Sequence, residues 1–146
     1  MRIYLDSSAL LKRVIDEPES EDVRLLLDQH VADNNVLLSS HLAWIEVGRA
    51  IRRRFDVGHV VALDHIDDAM SGVVDLPITD EVAILAERLN PNALRSLDAI
   101  HVASAMMTGA HLLVTYDERM VESAVLNGLR CVAPGRAGEI VKKPFP

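Results

Sequence analysis

The chain has one cysteine, Cys131, in 146 residues, so no disulfide can form within it. Nor does a charged-then-apolar leader open it, and both observations set a reducing, cytoplasmic location as the expectation. Long apolar runs are missing too. The longest nearly uncharged stretch, Ala99 to Val114, is interrupted by His101, Ser104, Thr108, Gly109 and His111. It falls short of the ~20 residues a bilayer crossing needs, so no membrane association is expected. Positive charge is in deficit, 15 Lys and Arg against 22 Asp and Glu for a net charge of -7. That argues against nonspecific affinity for nucleic acid, which rests on phosphate neutralisation by Lys and Arg. Acids gathered at one site would give the same total while leaving basic residues elsewhere. The six histidines show no HxH or HExxH spacing, which excludes the usual zinc signatures. Aromatics make up only 3% of the chain, but hydrophobic residues reach 49%. That is enough for one domain that buries roughly two thirds of its unfolded surface. No repeat or linker divides it. One domain is expected over residues 1–135, with 136–146 as a loosely held tail, since Gly135 to Pro146 carries two Gly, two Pro and two Lys.

Short β-prone runs alternate with helical periodicity. RIYL, ending at Asp6, reads as a first strand, followed by a short helix to about Ile15 that Ser7 or Ser8 can cap. Pro18 restarts a helix to about Ala32. Val36 to Leu38 is a second strand, after which Ser39 and Ser40 lead into the helix HLAWIEVGRAIRRR. A helix from Val60 to about Met70 precedes VVDLP, a third strand, and Thr79 caps DEVAILAERL. The segment SLDAIHVASAMM is apolar nearly all round after its first residue, as a buried helix reads. HLLVT is the clearest buried strand, Asp117 starts the helix DERMVESAVLN, and LRCVA closes the pattern. Such alternation predicts an α/β fold, a mainly parallel sheet covered by helices on both faces in three α/β/α layers.

Four carboxylates occupy positions that this architecture makes special, because open parallel sheets bind ligands at the carboxyl ends of their strands. Asp6 directly follows the first strand, and Asp117 follows HLLVT by two residues. Glu46 and Asp98 lie early in helices that can lean over the same edge. Each has an ordinary alternative: Asp98 could complement a helix dipole for ~0.3 to 1 kcal/mol, and Asp6 and Asp117 could be helix caps. Glu46 is harder to explain away, since only Arg49 at i+3 or Ala50 at i+4 neighbours it along its helix. If the four meet, two carboxylates ~5 Å apart repel by roughly 3 kcal/mol at an effective dielectric of ~20, and the group needs a cation. Oxygen donors alone select a hard ion, magnesium (Mg2+) or manganese (Mn2+), over zinc. Such an ion supports hydrolysis of a phosphodiester.

The segments IYLDSSAL, LSSHLAWIEVGRA, LRSLDAIHVASA and LLVTYDERM resemble, in order and spacing, the four acidic motifs of PIN-domain ribonucleases. More narrowly, Arg2 to about Pro134 resembles the VapC toxins of bacterial toxin-antitoxin pairs. The resemblance implies an Mg2+- or Mn2+-dependent endoribonuclease leaving a 3' hydroxyl and a 5' phosphate. It also implies an RNA substrate, a homodimer, and a cognate VapB-like antitoxin that covers the groove. Carried over by motif, Asp6, Asp98 and Asp117 hold the metal directly or through water, while Glu46 binds a second ion or positions the attacking water. Ser7 and Thr115 stand beside the site.

His101, three residues after Asp98, reads either as a core histidine or as a group that orients that acid. Arg49, Arg52, Arg53 and Arg54 form the only basic run. Arg49 and Arg53 share roughly the Glu46 face and are the candidates for RNA contact, with Lys12 and Arg13 behind them. Aspartyl-phosphate hydrolases also place an Asp after the first strand, but they need a second Asp two residues on, where this chain has Ser8. A housekeeping PIN nuclease, or a PIN scaffold that only binds RNA or a partner, is the remaining alternative.

Overall fold

The computed structural model describes residues 1–136. In chain order the elements are β1 (Arg2–Leu5), α1 (Ser7–Leu11), α2 (Ser20–Ala32), β2 (Val36–Ser40), α3 (His41–Phe55) and α4 (His59–Met70), then β3 (Val73–Leu76), α5 (Asp80–Arg88), α6 (Ser96–Met107), β4 (Leu112–Val114), α7 (Glu118–Leu126) and β5 (Cys131–Val132). The strands form one sheet in the order β3-β2-β1-β4-β5, with every pairing parallel.

Side-chain alternation along the strands sorts the core into two layers. Ile3 and Leu5 of β1, Leu37 of β2 and Leu112 and Val114 of β4 face α1 to α4, packing on Leu10, Val23, Val47, Ile51 and Ile66. Tyr4, Leu38 and Leu113 point the other way, against Val82, Val102, Ala103 and Met120 of α5, α6 and α7. The result is the three-layer α/β/α arrangement expected from the sequence, with a sheet that is parallel throughout rather than mainly so. Among the described residues, no helix is long and apolar enough to cross a membrane.

Three features differ from what the sequence predicts. The first helix stops at Leu11, not near Ile15, because residues after it turn to place Lys12 Nζ against the Pro18 carbonyl at 2.6 Å and against Glu19 at 3.1 Å. Of the caps the sequence allows, the helix uses Asp6, whose carboxylate accepts from the Ala9 N–H. Helix α6 is not buried all round: Leu97 and Met107 are each about half exposed. Arg136, the first residue of the expected tail, is held by its hydrogen bond to the Tyr116 carbonyl at 3.0 Å and stands over the Tyr116 ring. Residues 137–146 lie outside the described residues.

Candidate active site

Strand order fixes where the site lies. From β1 the chain winds outward through β2 to β3, and the other half runs from β4 to β5, so the order reverses between β1 and β4. Crevices in doubly wound sheets open at such a reversal, outside the carboxyl ends of the two strands. Asp6 leaves β1 and Thr115 leaves β4 at that point. The Asp6 N–H donates to the Val114 carbonyl at 3.2 Å, which holds the two strand ends side by side.

Asp6 is only 2% exposed, and its carboxylate is almost fully satisfied. The Ser8 hydroxyl lies 2.7 and 2.9 Å from its two oxygens, the Thr115 hydroxyl donates at 2.7 Å, and the Ala9 N–H at 2.9 Å. Burial pushes the Asp6 carboxyl above its ordinary range; the charge on His101 when protonated and the hydrogen bonds from Thr115, Ala9 and Ser8 oppose that rise. Thr115 also accepts the Asp117 N–H at 3.1 Å, so one hydroxyl ties the first and fourth acids together. Asp117 caps α7, accepting from the Arg119 N–H at 2.8 Å and the Met120 N–H at 3.2 Å through Oδ1. Both ordinary explanations, caps at Asp6 and Asp117, are therefore true of the structure, yet capping occupies only Oδ1 of Asp117.

Asp98 is the acid in tension. Its Oδ2 is buried without a hydrogen-bond partner. Burial raises its pKa, the nearby Asp117 raises it further, and Glu46 adds to the rise against the pull of His101 and Arg95. The third acid thus senses both the second and the fourth across the crevice. A carboxylate that only complemented its helix dipole would feel neither.

Glu46 projects from α3, and its Oε2 lies 2.7 Å from His101 Nε2 on α6. Burial alone would raise the Glu46 pKa, but the hydrogen bond from His101, the charge on that ring when protonated and a hydrogen bond with Ser7 outweigh that and bring it below the ordinary carboxylate range. Beside it runs a groove of about 510 Å³ lined by Ser7, Ile45, Glu46, Arg49, Arg53 and Leu97 among others. Arg49 and Arg53 do share the Glu46 side. Lys12 and Arg13, the other basic candidates, are committed elsewhere: Lys12 to the contacts above and the Tyr116 ring at 4.7 Å, Arg13 to the Ala69 carbonyl at 2.6 Å.

As placed, no three His, Cys, Asp or Glu side chains among the described residues stand close enough to share an ion. Magnesium does not require that, because it keeps several waters and takes one or two carboxylates directly. The donor set fits such an ion: oxygen ligands only, one of them an orphaned buried carboxylate oxygen beside a second acid.

Two residues escaped the sequence reading in part. Ser8 bridges Asp6 and the Tyr116 N–H, which it accepts at 3.0 Å, a closer role than that of Ser7. The partner of Glu46 is His101, 55 positions away, and no periodicity along either helix reveals a pairing between helices.

Fold and site together define a class, doubly wound parallel α/β domains with acidic side chains just beyond the carboxyl ends of the two strands where the strand order reverses. The chain belongs to the PIN-domain family, whose model matches residues 3–126. It is 36% identical over 135 residues to Ribonuclease VapC47 of Mycobacterium tuberculosis, covering 91% of this chain and 97% of that protein. To Ribonuclease VapC46 of the same species it is 38% identical over 137 residues, covering 90% and 97%. Among solved structures, VapBC2 from Rickettsia felis bound to a DNA fragment from its promoter superposes with a TM-score of 0.69 at 14% identity, over 84% of this chain and 93% of that one. Mycobacterium tuberculosis VapC20, described as a sarcin-ricin loop cleaving toxin, gives 0.66 at 16% identity over 97% and 99%. At those identities the structures speak for the fold.

Proposed function

We propose that this chain is a divalent-metal-dependent endoribonuclease, the toxin of a toxin-antitoxin pair, acting in the cytoplasm. The observation that carries the reading is Asp98, a carboxylate with a buried, unpartnered oxygen, whose pKa is raised by burial and further by Asp117 and Glu46. Relatives named VapC ribonucleases over nearly their whole length support the chemistry. The likeness to VapBC2 supports a VapB-like antitoxin as partner. A homodimer is part of the same proposal.

A bound Mg2+ or Mn2+ ion supplies a water of lowered pKa and offsets charge developing on the phosphate. Asp98 and Asp117 would hold it through their free oxygens, with Asp6 as the third acid of the set. Glu46, kept ionised by its hydrogen bonds, accepts a proton from the attacking water or orients it. Arg49 and Arg53 hold the phosphate backbone along the groove, a placement consistent with their exposure.

A scaffold reading, in which the chain binds RNA or a partner without cutting, draws on one observation, that among the described residues no three acids stand within direct reach of a common ion. One experiment separates the two. Purified chain is incubated with total RNA in EDTA, then with excess Mg2+ or Mn2+, and the RNA ends are sequenced. The nuclease reading predicts no new ends in chelator and discrete 5'-phosphate ends on restoring metal; absence of cleavage in either metal favours the scaffold.

A further inference from the structure

Four groups on four elements form an unbroken polar line into the site. The Ser40 N–H, at the end of β2, donates to the Tyr4 hydroxyl oxygen at 3.0 Å. The Tyr4 hydroxyl lies 2.9 Å from His101 Nδ1, and His101 Nε2 lies 2.7 Å from Glu46 Oε2. Tyr4 and His101 are buried, at 0% and 2% exposure, and their rings meet edge to face with centroids 5.9 Å apart. Glu46 alone in this line reaches solvent, its side chain 25% exposed.

We propose that His101 is the positioning residue for Glu46, held in place by Tyr4 and donating the proton on its Nε2 to the Glu46 carboxylate. This rests on the nuclease reading for its consequence, though not for its geometry. An ionised carboxylate only accepts, so the proton between Nε2 and Oε2 belongs to the imidazole. In the neutral ring Nδ1 is then the acceptor for Tyr4, whose oxygen already takes the Ser40 N–H and whose own proton is free to be given. Burial pushes the Tyr4 phenol up to about 12, so it keeps that proton across the working range. Such a line is familiar from sites in which a carboxylate or carbonyl fixes the tautomer and aim of a histidine. Here the roles run outward: the sheet sets the tyrosine, the tyrosine the imidazole, and the imidazole the acid. A glutamate has three freely rotating bonds, and this hydrogen bond restricts them by tying one carboxylate oxygen to the buried ring.

Two substitutions separate positioning from packing. His101→Gln places an amide N–H near the Nε2 position, while His101→Asn places its amide near Nδ1 and does not reach Glu46. The expected result is that His101→Asn lowers kcat by roughly 10- to 100-fold, the usual loss for a partner behind the acting group, with KM for RNA unchanged. His101→Gln is expected to restore most of kcat, Tyr4→Phe to show a smaller loss, and Glu46→Gln to be made no worse by adding His101→Asn. Independently of activity, 15N chemical shifts of His101 in the metal-free chain are expected to show a protonated Nε2 and a bare Nδ1. The proposal is overturned if Asn and Gln behave alike, whether both active or both inactive, or if Nδ1 carries the proton. Failure of the wild-type chain to cut any RNA in Mg2+ or Mn2+ would instead overturn the nuclease reading and leave the tautomer measurement standing.

Discussion

Asp98→Asn is expected to abolish RNA cleavage while making the metal-free protein more stable. Loss of activity should exceed the roughly 10- to 100-fold cost of removing a residue that only supports a metal ligand, because Asp98 offers the one buried carboxylate oxygen without a hydrogen-bond partner among the described residues. Stability moves the other way for an electrostatic reason. The Asp98 pKa is raised in the folded chain by burial and by Asp117, so its ionised form is disfavoured there relative to the unfolded chain. That penalty is absent below the unfolded carboxyl range, where Asp98 is protonated in both states, and grows as pH rises through the folded value. The amide carries no charge, so the variant should outlast the wild type in metal-free denaturation at neutral pH and lose that advantage near pH ~4. Parallel urea melts at the two pH values check the sign. A variant that is both less active and less stable at neutral pH would make Asp98 an ordinary structural residue. Sites that hold strained groups for function commonly show this opposition between activity and stability.

Added magnesium should produce the second large effect. An ion that binds only the folded chain stabilises it by about 2.7 kcal/mol when present at ~100 times its Kd. For a chain of this size each kcal/mol shifts the melting midpoint by roughly 3 °C, so Tm is expected to rise on the order of 8 °C between EDTA and saturating Mg2+. The rise should shrink sharply in Asp98→Asn, whose metal-free form has already lost the repulsion. A wild-type midpoint indifferent to Mg2+ and Mn2+ would mean that the acids do not act together on a cation.

Much of this was legible in the sequence because it depends on local rules. Alternation of Ile3 and Leu5 with Tyr4, and of Leu112 and Val114 with Leu113, marks strands covered on both faces, and the structure puts each set in its own layer. The PIN-type motifs likewise identified the family that the sequence match bears out. Other features were hidden because they depend on pairing across the fold. Asp6 carries three jobs at once, helix cap, acceptor for Ser8 and Thr115, and candidate metal ligand, and a sequence offers these as rival explanations. Lys12 reads as an exposed base on a short helix, but the chain turns beyond Leu11 and buries its ammonium against Pro18, Glu19 and the Tyr116 ring. His101 was ambiguous for the same reason: from α6 alone it is a histidine among apolar residues, and its two partners come from β1 and α3.

The central physical claim is that acids from separate elements form one pocket that takes up a divalent cation at the strand-order reversal. Manganese titration followed by electron paramagnetic resonance of the free ion tests it without RNA or antitoxin. Saturable binding to one or two sites per wild-type chain is expected, weakened at least about tenfold in each of Asp6→Asn, Asp98→Asn and Asp117→Asn. Binding that does not saturate, or that all three variants retain unchanged, would contradict the account.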